Sequence, residues 1–93
     1  MRKTVWRYDV APLTTQHIQM PTGAQVLKVA EHPRGEISLW VLVDAHAGRE
    51  TREFTVAGTG WEIVADDPSH LGSVVMSDGL VFHIFETGEG SGS

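Results

Sequence analysis

The hydrophobic positions along this chain recur with a period of two. In residues 4–10, for example, Trp6, Tyr8 and Val10 alternate with charged residues. Side chains of a strand point alternately to its two faces, so this pattern is typical of a half-buried β-strand. No segment shows an apolar stripe at helical spacing over ten or more residues, and we therefore expect little or no helix.

The same alternation, interrupted by turn residues, predicts about seven short strands. We expect them at residues 4–10, 16–20, 26–31, 36–46, 49–56, 71–76 and 80–86, with a further short alternation at residues 61–63. Residues 32–35 and 77–79 are predicted hairpin turns, the second because Asp78-Gly79 tolerates positive φ. Short antiparallel strands separated by turns indicate an all-β fold, either a small β-sandwich or a rolled barrel.

One of these strands is apolar on both faces between Ile37 and Val43. Strands that are buried on both sides have this composition. In a chain without helices, one of the two covering layers can come from a second subunit, so we expect a homo-oligomer. The alternative is a tightly curled single chain in which Trp40 closes the second face from within.

Length and composition indicate a single domain. The 93 residues, 41% hydrophobic and 20% charged, fit one β domain over residues 1–87, followed by a Gly/Ser-rich tail at residues 88–93 that we expect to be flexible. A net charge of −5 disfavours binding to nucleic acid. No apolar run is long enough for a membrane helix and no signal-peptide pattern is present, so we expect no membrane association and a cytoplasmic location.

Cysteine is absent, which excludes disulfides, thiol nucleophiles and thiolate metal sites. The run of residues 67–70 (DPSH) contains the residue types of a catalytic triad, but neighbouring residues rarely meet in a relay and no Gly-x-Ser-x-Gly elbow occurs. A turn capped by Asp67 and Ser69 is the better interpretation. We therefore predict that the chain is not an enzyme and needs no cofactor.

Histidine and aspartate offer a possible metal site. Asp44 and His46 are two residues apart and would project from one face of one strand, and His83 lies in an apolar strand that could be its neighbour. A His/His/Asp cluster suits a divalent ion such as zinc. The alternative is that His46 lies at a solvated strand end and His83 is packed with its nitrogens hydrogen-bonded.

A second candidate site surrounds the Gly-Thr-Gly break at residues 58–60. Two glycines around Thr59 could cradle a phosphate with backbone N–H groups, although a β-bulge or tight corner also explains them. An exposed Trp61 beside arginines would suit stacking on a nucleobase or gripping a protein partner, whereas a buried Trp61 would do neither. The predicted ligand-binding residues are Arg49, Arg52, Gly58, Thr59, Gly60 and Trp61.

Several segments also occur in a familiar order and spacing. They are residues 18–24 (IQMPTGA), 26–29 (VLKV), 39–44 (LWVLVD), 54–60 (FTVAGTG), 70–73 (HLGS) and 80–86 (LVFHIFE). As a set, they resemble a family of small proteins encoded by tailed bacteriophages and prophages. The resemblance implies a phage-linked origin and a compact domain without an accepted catalytic motif, and it carries over no functional residue. In related sequences histidine often follows the Gly-Thr-Gly, whereas this chain has Trp61 there.

By analogy with small acidic phage proteins, the resemblance leads us to expect a non-enzymatic accessory protein. It would bind a host protein or a small nucleotide-like ligand in the host cytoplasm, and so counter antiviral defence. One alternative is a structural or assembly domain of the phage. Another is a metal-dependent enzyme that uses His46 and His83.

Overall fold

A computed structural model describes residues 2–88. This part of the chain contains seven β-strands and no helix, which confirms the predicted all-β class. The strands are β1 (Thr4–Val10), β2 (Thr14–Pro21), β3 (Gln25–Glu31), β4 (Ile37–Val43), β5 (Arg49–Gly58), β6 (Ser69–Val75) and β7 (Val81–Thr87).

The strands form two antiparallel sheets packed face to face. Sheet A has the order β1-β4-β3, and sheet B has the order β2-β5-β7-β6. The shortest principal dimension is 15 Å, as expected for two sheets about 10 Å apart with little on their outer faces. The fold is therefore the predicted small sandwich rather than a rolled barrel.

The core lies between the two sheets and follows the period-two pattern. In sheet A the inward side chains include Ile37, Leu39, Val41 and Val43, all of them at most 1% exposed. Sheet B contributes Met20, Phe54, Val56 and Ile84, which are equally buried. Trp6, Tyr8 and Ile18 pack at the margin of this cluster. Burial of alternate positions on both sheets is the main stabilising contribution in a chain this small.

The outer face of β4 is covered within the chain itself. Ser38 is fully buried, and its hydroxyl donates to Asp9 Oδ1 at 2.7 Å. Trp40 is half-buried; Arg7 lies opposite it on β1, and Lys28 Nζ lies 5.8 Å from its ring centroid on the β3 side. Long side chains of the neighbouring strands thus cover the outer face of β4, which we had expected a second subunit to cover. The homo-oligomer stays a prediction, but burial of β4 does not require it.

Two hairpins confirm the turn predictions. Residues 32–35 join β3 to β4, with the His32 amide donating to the Glu36 carbonyl at 2.6 Å. Residues 77–79 join β6 to β7, where the Met76 amide donates to the Leu80 carbonyl at 2.7 Å and Gly79 has a φ of +92°. A positive φ of this size is favourable for glycine alone.

Two expectations differ from the structure or lie outside it. Residues 61–63 do not form a strand, because Trp61 closes a turn and the segment that follows pairs with neither sheet. Of the predicted tail at residues 88–93, the structure describes Gly88, and residues 89–93 lie outside the described part.

Candidate functional site

An apolar cleft of about 380 Å³ opens at one end of the sandwich. Four segments meet there: the β1–β2 loop, the end of β5 with the turn after it, the β6–β7 hairpin turn and the start of β7. The cleft is lined by Leu13, Gly58, Thr59, Trp61, Gly79, Leu80, Val81 and Phe82. Its volume falls within the range of small-ligand pockets, roughly 300–1,000 Å³.

The turn after β5 builds one wall of the cleft. The Trp61 amide donates to the Gly58 carbonyl at 3.0 Å, and Gly60 between them has a φ of +88°. The Gly-Thr-Gly break is therefore a tight corner, and no helix follows it whose N-terminus could help to hold a phosphate.

The Trp61 indole lies directly on the backbone of Gly58. A Cβ atom at residue 58 would be 3.1 Å from both Cδ1 and Nε1 of the indole, so glycine permits this close approach without a shift of the indole by a few tenths of an ångström. The Trp61 residue is nevertheless 58% exposed. Trp61 thus presents one face to solvent at the rim of the cleft, which is the exposed alternative considered from the sequence.

Leu13 faces the same corner from the β1–β2 loop. Its φ is +57°, the only positive value at a non-glycine position among residues 2–88. Such a conformation costs on the order of 1–3 kcal/mol. Nearby, the Gln16 side-chain amide is hydrogen-bonded to both the N–H and the carbonyl of Ala11, and these bonds hold the loop in place. Leu13 thus lines the cleft and is 45% exposed.

The lining has almost no polar chemistry. The Thr59 hydroxyl and the Trp61 indole N–H are its only polar side-chain groups, and no charged side chain contributes to it. The Thr59 hydroxyl is hydrogen-bonded to His83 Nε2 at 2.8 Å. The cleft therefore suits an apolar group better than a phosphate or a carboxylate.

Both predicted arginines lie away from the cleft. Arg52 points between the sheets, where it forms a two-pronged pair with Glu86 at 2.7 and 2.8 Å and also donates to the Ala24 carbonyl. Its side chain is only 11% exposed, and the hydrogen bonds that it donates to the Glu86 carboxylate raise the pKa of Arg52 further. Arg49 lies over the Trp6 ring at 5.6 Å, nine residues before Gly58 along β5 and so about 30 Å from the cleft.

The predicted ligand-binding set is therefore divided. Gly58, Thr59 and Trp61 line one cleft, and Gly60 completes their turn. The structure does not bring the two arginines together with them, because the length of β5 separates the arginines from the turn and Arg52 is held by Glu86.

The structure does not bring together Asp44, His46 and His83. β4 ends at Val43, so Asp44 and His46 lie in the turn before β5, where Asp44 Oδ1 accepts the His46 amide at 3.0 Å. His83 lies on β7 in the other sheet. Within residues 2–88, no group of three or more His, Cys, Asp or Glu side chains is arranged to hold a metal.

A polar chain that the sequence reasoning missed runs across the outer face of sheet B. His70 Nε2 and His83 Nδ1 both contact Ser73 Oγ, at 3.1 and 2.8 Å, and His83 Nε2 continues the chain to Thr59. The β6–β7 register places Ser73 opposite His83, and a shift between His70 and Gly72 turns His70 to the same face. Counting residue pairs outward from the predicted hairpin turn would have found the contact between Ser73 and His83. It would not have found the contact between Ser73 and His70, which depends on the register shift.

Comparisons with known proteins complete this description. The part of the chain that the structure describes contains no helix able to cross a membrane. Searches against curated proteins and against solved structures found no match. A family model described as "Domain of unknown function (DUF7352)" matches residues 1–92. Because that match spans nearly the whole sequence, the chain belongs to the DUF7352 family.

Proposed function

We propose that this protein is a non-enzymatic binding module that grips an apolar side chain of a partner protein in the cleft beside Trp61. The observation that carries the proposal is the exposure of large apolar side chains at the rim: Trp61 is 58% exposed, Leu80 56% and Leu13 45%. Single exposed apolar residues are ordinary, but three around one concave site are typical of an interaction surface.

The charge distribution favours a protein partner over a nucleotide-like ligand. A nucleotide needs cations or several aligned N–H groups for its phosphates, and no charged side chain lines the cleft. The chain carries a net charge of −5, which repels anions. Arg49 and Arg52, which were predicted as ligand contacts beside Trp61, lie elsewhere on β5. A neutral or basic segment with an aliphatic or aromatic anchor fits the cleft better.

Trp61 is the residue expected to dominate such an interface. Tryptophan is enriched among interface residues whose truncation costs on the order of 2–4 kcal/mol. That loss corresponds to a weakening of binding by roughly 30- to 1,000-fold. The Trp61 indole is held by Gly58 before any partner binds, so little ordering cost remains.

The test is a selection from a random peptide library on the immobilised full chain, followed by calorimetric titration of the enriched peptides. We expect peptides with one bulky apolar anchor, whose affinity falls at least about 30-fold in Trp61→Ala. Leu80→Glu should also abolish binding, because it places a charge in the lining. Val64→Glu is the matched control: Val64 is 88% exposed and does not line the cleft.

Other outcomes would contradict the proposal. Enriched peptides that bind Trp61→Ala as tightly as the original chain would place the interface elsewhere. Stabilisation by cyclic nucleotides or ADP-ribose that depends on Trp61, in a thermal-shift assay, would instead favour the nucleotide-like ligand. Failure of both screens would remove the cleft as a binding site.

For the biological setting, we infer that the protein is encoded by a phage and acts in the host cytoplasm on a component of antiviral defence. The support for this inference is the resemblance of the ordered segments to proteins of tailed phages. The test is to express the chain in bacteria that carry individual defence systems and to measure phage plating efficiency. Restored plating by the original chain but not by Trp61→Ala is expected. No restoration in any strain would contradict the inference and leave the cleft proposal unaffected.

A further inference from the structure

We propose that His70 and His83, with Ser73 between them, bind a divalent transition-metal ion on the outer face of sheet B. His70 Nε2 lies 3.1 Å and His83 Nδ1 2.8 Å from the same atom, Ser73 Oγ. Two imidazole nitrogens from adjacent strands thus converge on one oxygen. The inference does not rest on the proposed function of the cleft, although Thr59 borders both the cleft and this site.

The single proton of the Ser73 hydroxyl limits how the two imidazole nitrogens can bond to it. A serine hydroxyl has one proton, so it can donate to only one of the two ring nitrogens that face it and must accept from the other. A metal ion needs the lone pairs of both nitrogens. The ion would therefore replace the N–H that one imidazole now directs at Ser73, and that ring would carry its proton on the other nitrogen when it binds the ion.

The distances set how far the rings must move. The two contacts limit the separation of His70 Nε2 and His83 Nδ1 to the sum of 3.1 and 2.8 Å. Zinc–nitrogen bonds are about 2.0–2.1 Å long, so two nitrogens on one tetrahedral ion are about 3.4 Å apart. Side-chain movement of at most about 2.5 Å closes this gap. Ser73 Oγ lies within 3.1 Å of both nitrogens and is therefore placed to be a further oxygen ligand.

Thr59 provides outer support for this arrangement. When His83 coordinates through Nδ1, its Nε2 carries the proton and donates to Thr59 Oγ1, which lies 2.8 Å away. Metal-binding histidines usually have such a partner on the second nitrogen, which sets the tautomer and the ring orientation. His70 is oriented by Phe85, whose ring centroid lies 5.2 Å from its own.

The donor set indicates the class of ion. Neutral imidazoles favour Zn²⁺, Ni²⁺ and Cu²⁺ over Mg²⁺ or Ca²⁺, which prefer oxygen ligands. Two imidazoles and one hydroxyl leave at least one coordination position for water, so the site is of the open kind rather than a closed structural one. The affinity order expected from the donors is Cu²⁺ above Ni²⁺ and Zn²⁺.

The experiment is a titration of the full chain with Zn²⁺, followed by calorimetry and by NMR of the imidazole nitrogens. We expect one equivalent to bind and to shift the ring signals of His70 and His83 while those of the other three histidines stay in place. Loss of a residue that hydrogen-bonds a metal ligand typically weakens metal binding by roughly tenfold or more, and we expect this effect in Thr59→Val. His70→Gln and His83→Gln, which each remove a ligand, should weaken Zn²⁺ binding by at least as much.

The matched control is His17→Gln. His17 lies on the same face of sheet B but pairs with Glu53 at 3.1 Å rather than with a second imidazole. Unchanged affinity in this variant and in His46→Gln supports the site. Equal weakening in the controls, or Zn²⁺ shifts spread over all five histidines of the original chain, would overturn it. The NMR result on the original chain decides the matter even if a variant folds poorly.

Discussion

Replacing Gly58 with alanine tests whether the end of β5 holds the Trp61 indole in the cleft. The new Cβ would lie 3.1 Å from indole Cδ1 and Nε1, and 3.6 Å from Leu13 Cδ2. Non-bonded heavy atoms are most favourable at about 3.5–4.0 Å, so the indole must move by about 0.5 Å or leave its position. Leu13 lies at an ordinary contact distance and can stay.

The cost to stability is bounded by two opposing effects. Gly58 is not among the glycines with positive φ, so alanine fits its backbone and stabilises by about 0.4–1 kcal/mol through the unfolded chain. Trp61 is 58% exposed, and its buried part is therefore roughly 100 Å² of a large aromatic side chain. Full expulsion would cost about 2.5 kcal/mol. The free energy of unfolding should thus fall by at most about 2 kcal/mol, and the fold should survive.

The assay is NMR of the tryptophan indole N–H groups, supported by thermal unfolding. The chain has three tryptophans and so gives three indole signals, of which Trp61→Phe identifies one. In Gly58→Ala we expect that signal to move while the other two stay in place, and binding of selected peptides to weaken. Gly48→Ala is the control, because its new Cβ meets only Thr22 Oγ1, at 3.9 Å.

One result would refute this reasoning. If the Trp61 signal and the peptide affinity in Gly58→Ala matched those of the original chain, the indole would not rest on Gly58 in solution. The cleft wall would then have another origin, and the inference that a preformed cleft lowers the cost of binding would be wrong.

Three further predictions concern the rest of the molecule. Arg52→Leu leaves Glu86 buried without its partner and should cost about 3–5 kcal/mol in urea unfolding, most of which Arg52→Leu/Glu86→Leu should recover. Burial, against a smaller opposing effect of Arg49, raises the pKa of Tyr8 above 10.0. The contribution of Tyr8 to folding stability is therefore fully present below pH 10.0 and is lost as the pH rises through the folded-state pKa. Above pH 10.0, the thermal midpoint of the original chain should fall more steeply with pH than that of Tyr8→Phe. Light scattering tests the predicted homo-oligomer, which a mass of one chain, 10.2 kDa, would contradict.

The fold was predictable because its information is local. Alternation in segments such as residues 4–10 depends on neighbouring residues alone, and so does the Asp-Gly turn before β7. The short alternation at residues 61–63 was misleading, because three residues cannot distinguish a strand from a turn that happens to alternate. Trp61 is placed by its contact with Gly58 rather than by pairing with a strand.

The cover of β4 could not be inferred from hydrophobicity alone. Seven apolar or small residues in a row indicated burial on both faces, but not which side chains provide it. In the structure, the long side chain of Lys28 lies beside Trp40, and Ser38 is satisfied by Asp9. Lys and Arg can cover apolar surface with their aliphatic stems while the charged end stays in water, so a polar strand can protect an apolar one.

The structure keeps together those predicted site residues that are neighbours in sequence, and it separates those that lie farther apart along a strand. Gly58, Thr59 and Trp61 belong to one turn and remained together. Arg52 was placed with them although it shares the parity of Phe54 and Val56, two residues of the core. The alternation that located the strand also indicated that Arg52 points inward, and an inward arginine needs an acidic partner such as Glu86.

His83 shows the step at which sequence reasoning stops. Pairing it with Ser73 requires only the hairpin turn and a count of residues, because Asp78-Gly79 sets the register. In a regular strand His70 and Ser73, three residues apart, would point to opposite faces. The register shift between His70 and Gly72 reverses the face of His70, and only this irregularity brings two imidazoles to one hydroxyl. A single extra residue therefore decides whether the outer face of sheet B carries two separate histidines or one pair able to bind a metal ion.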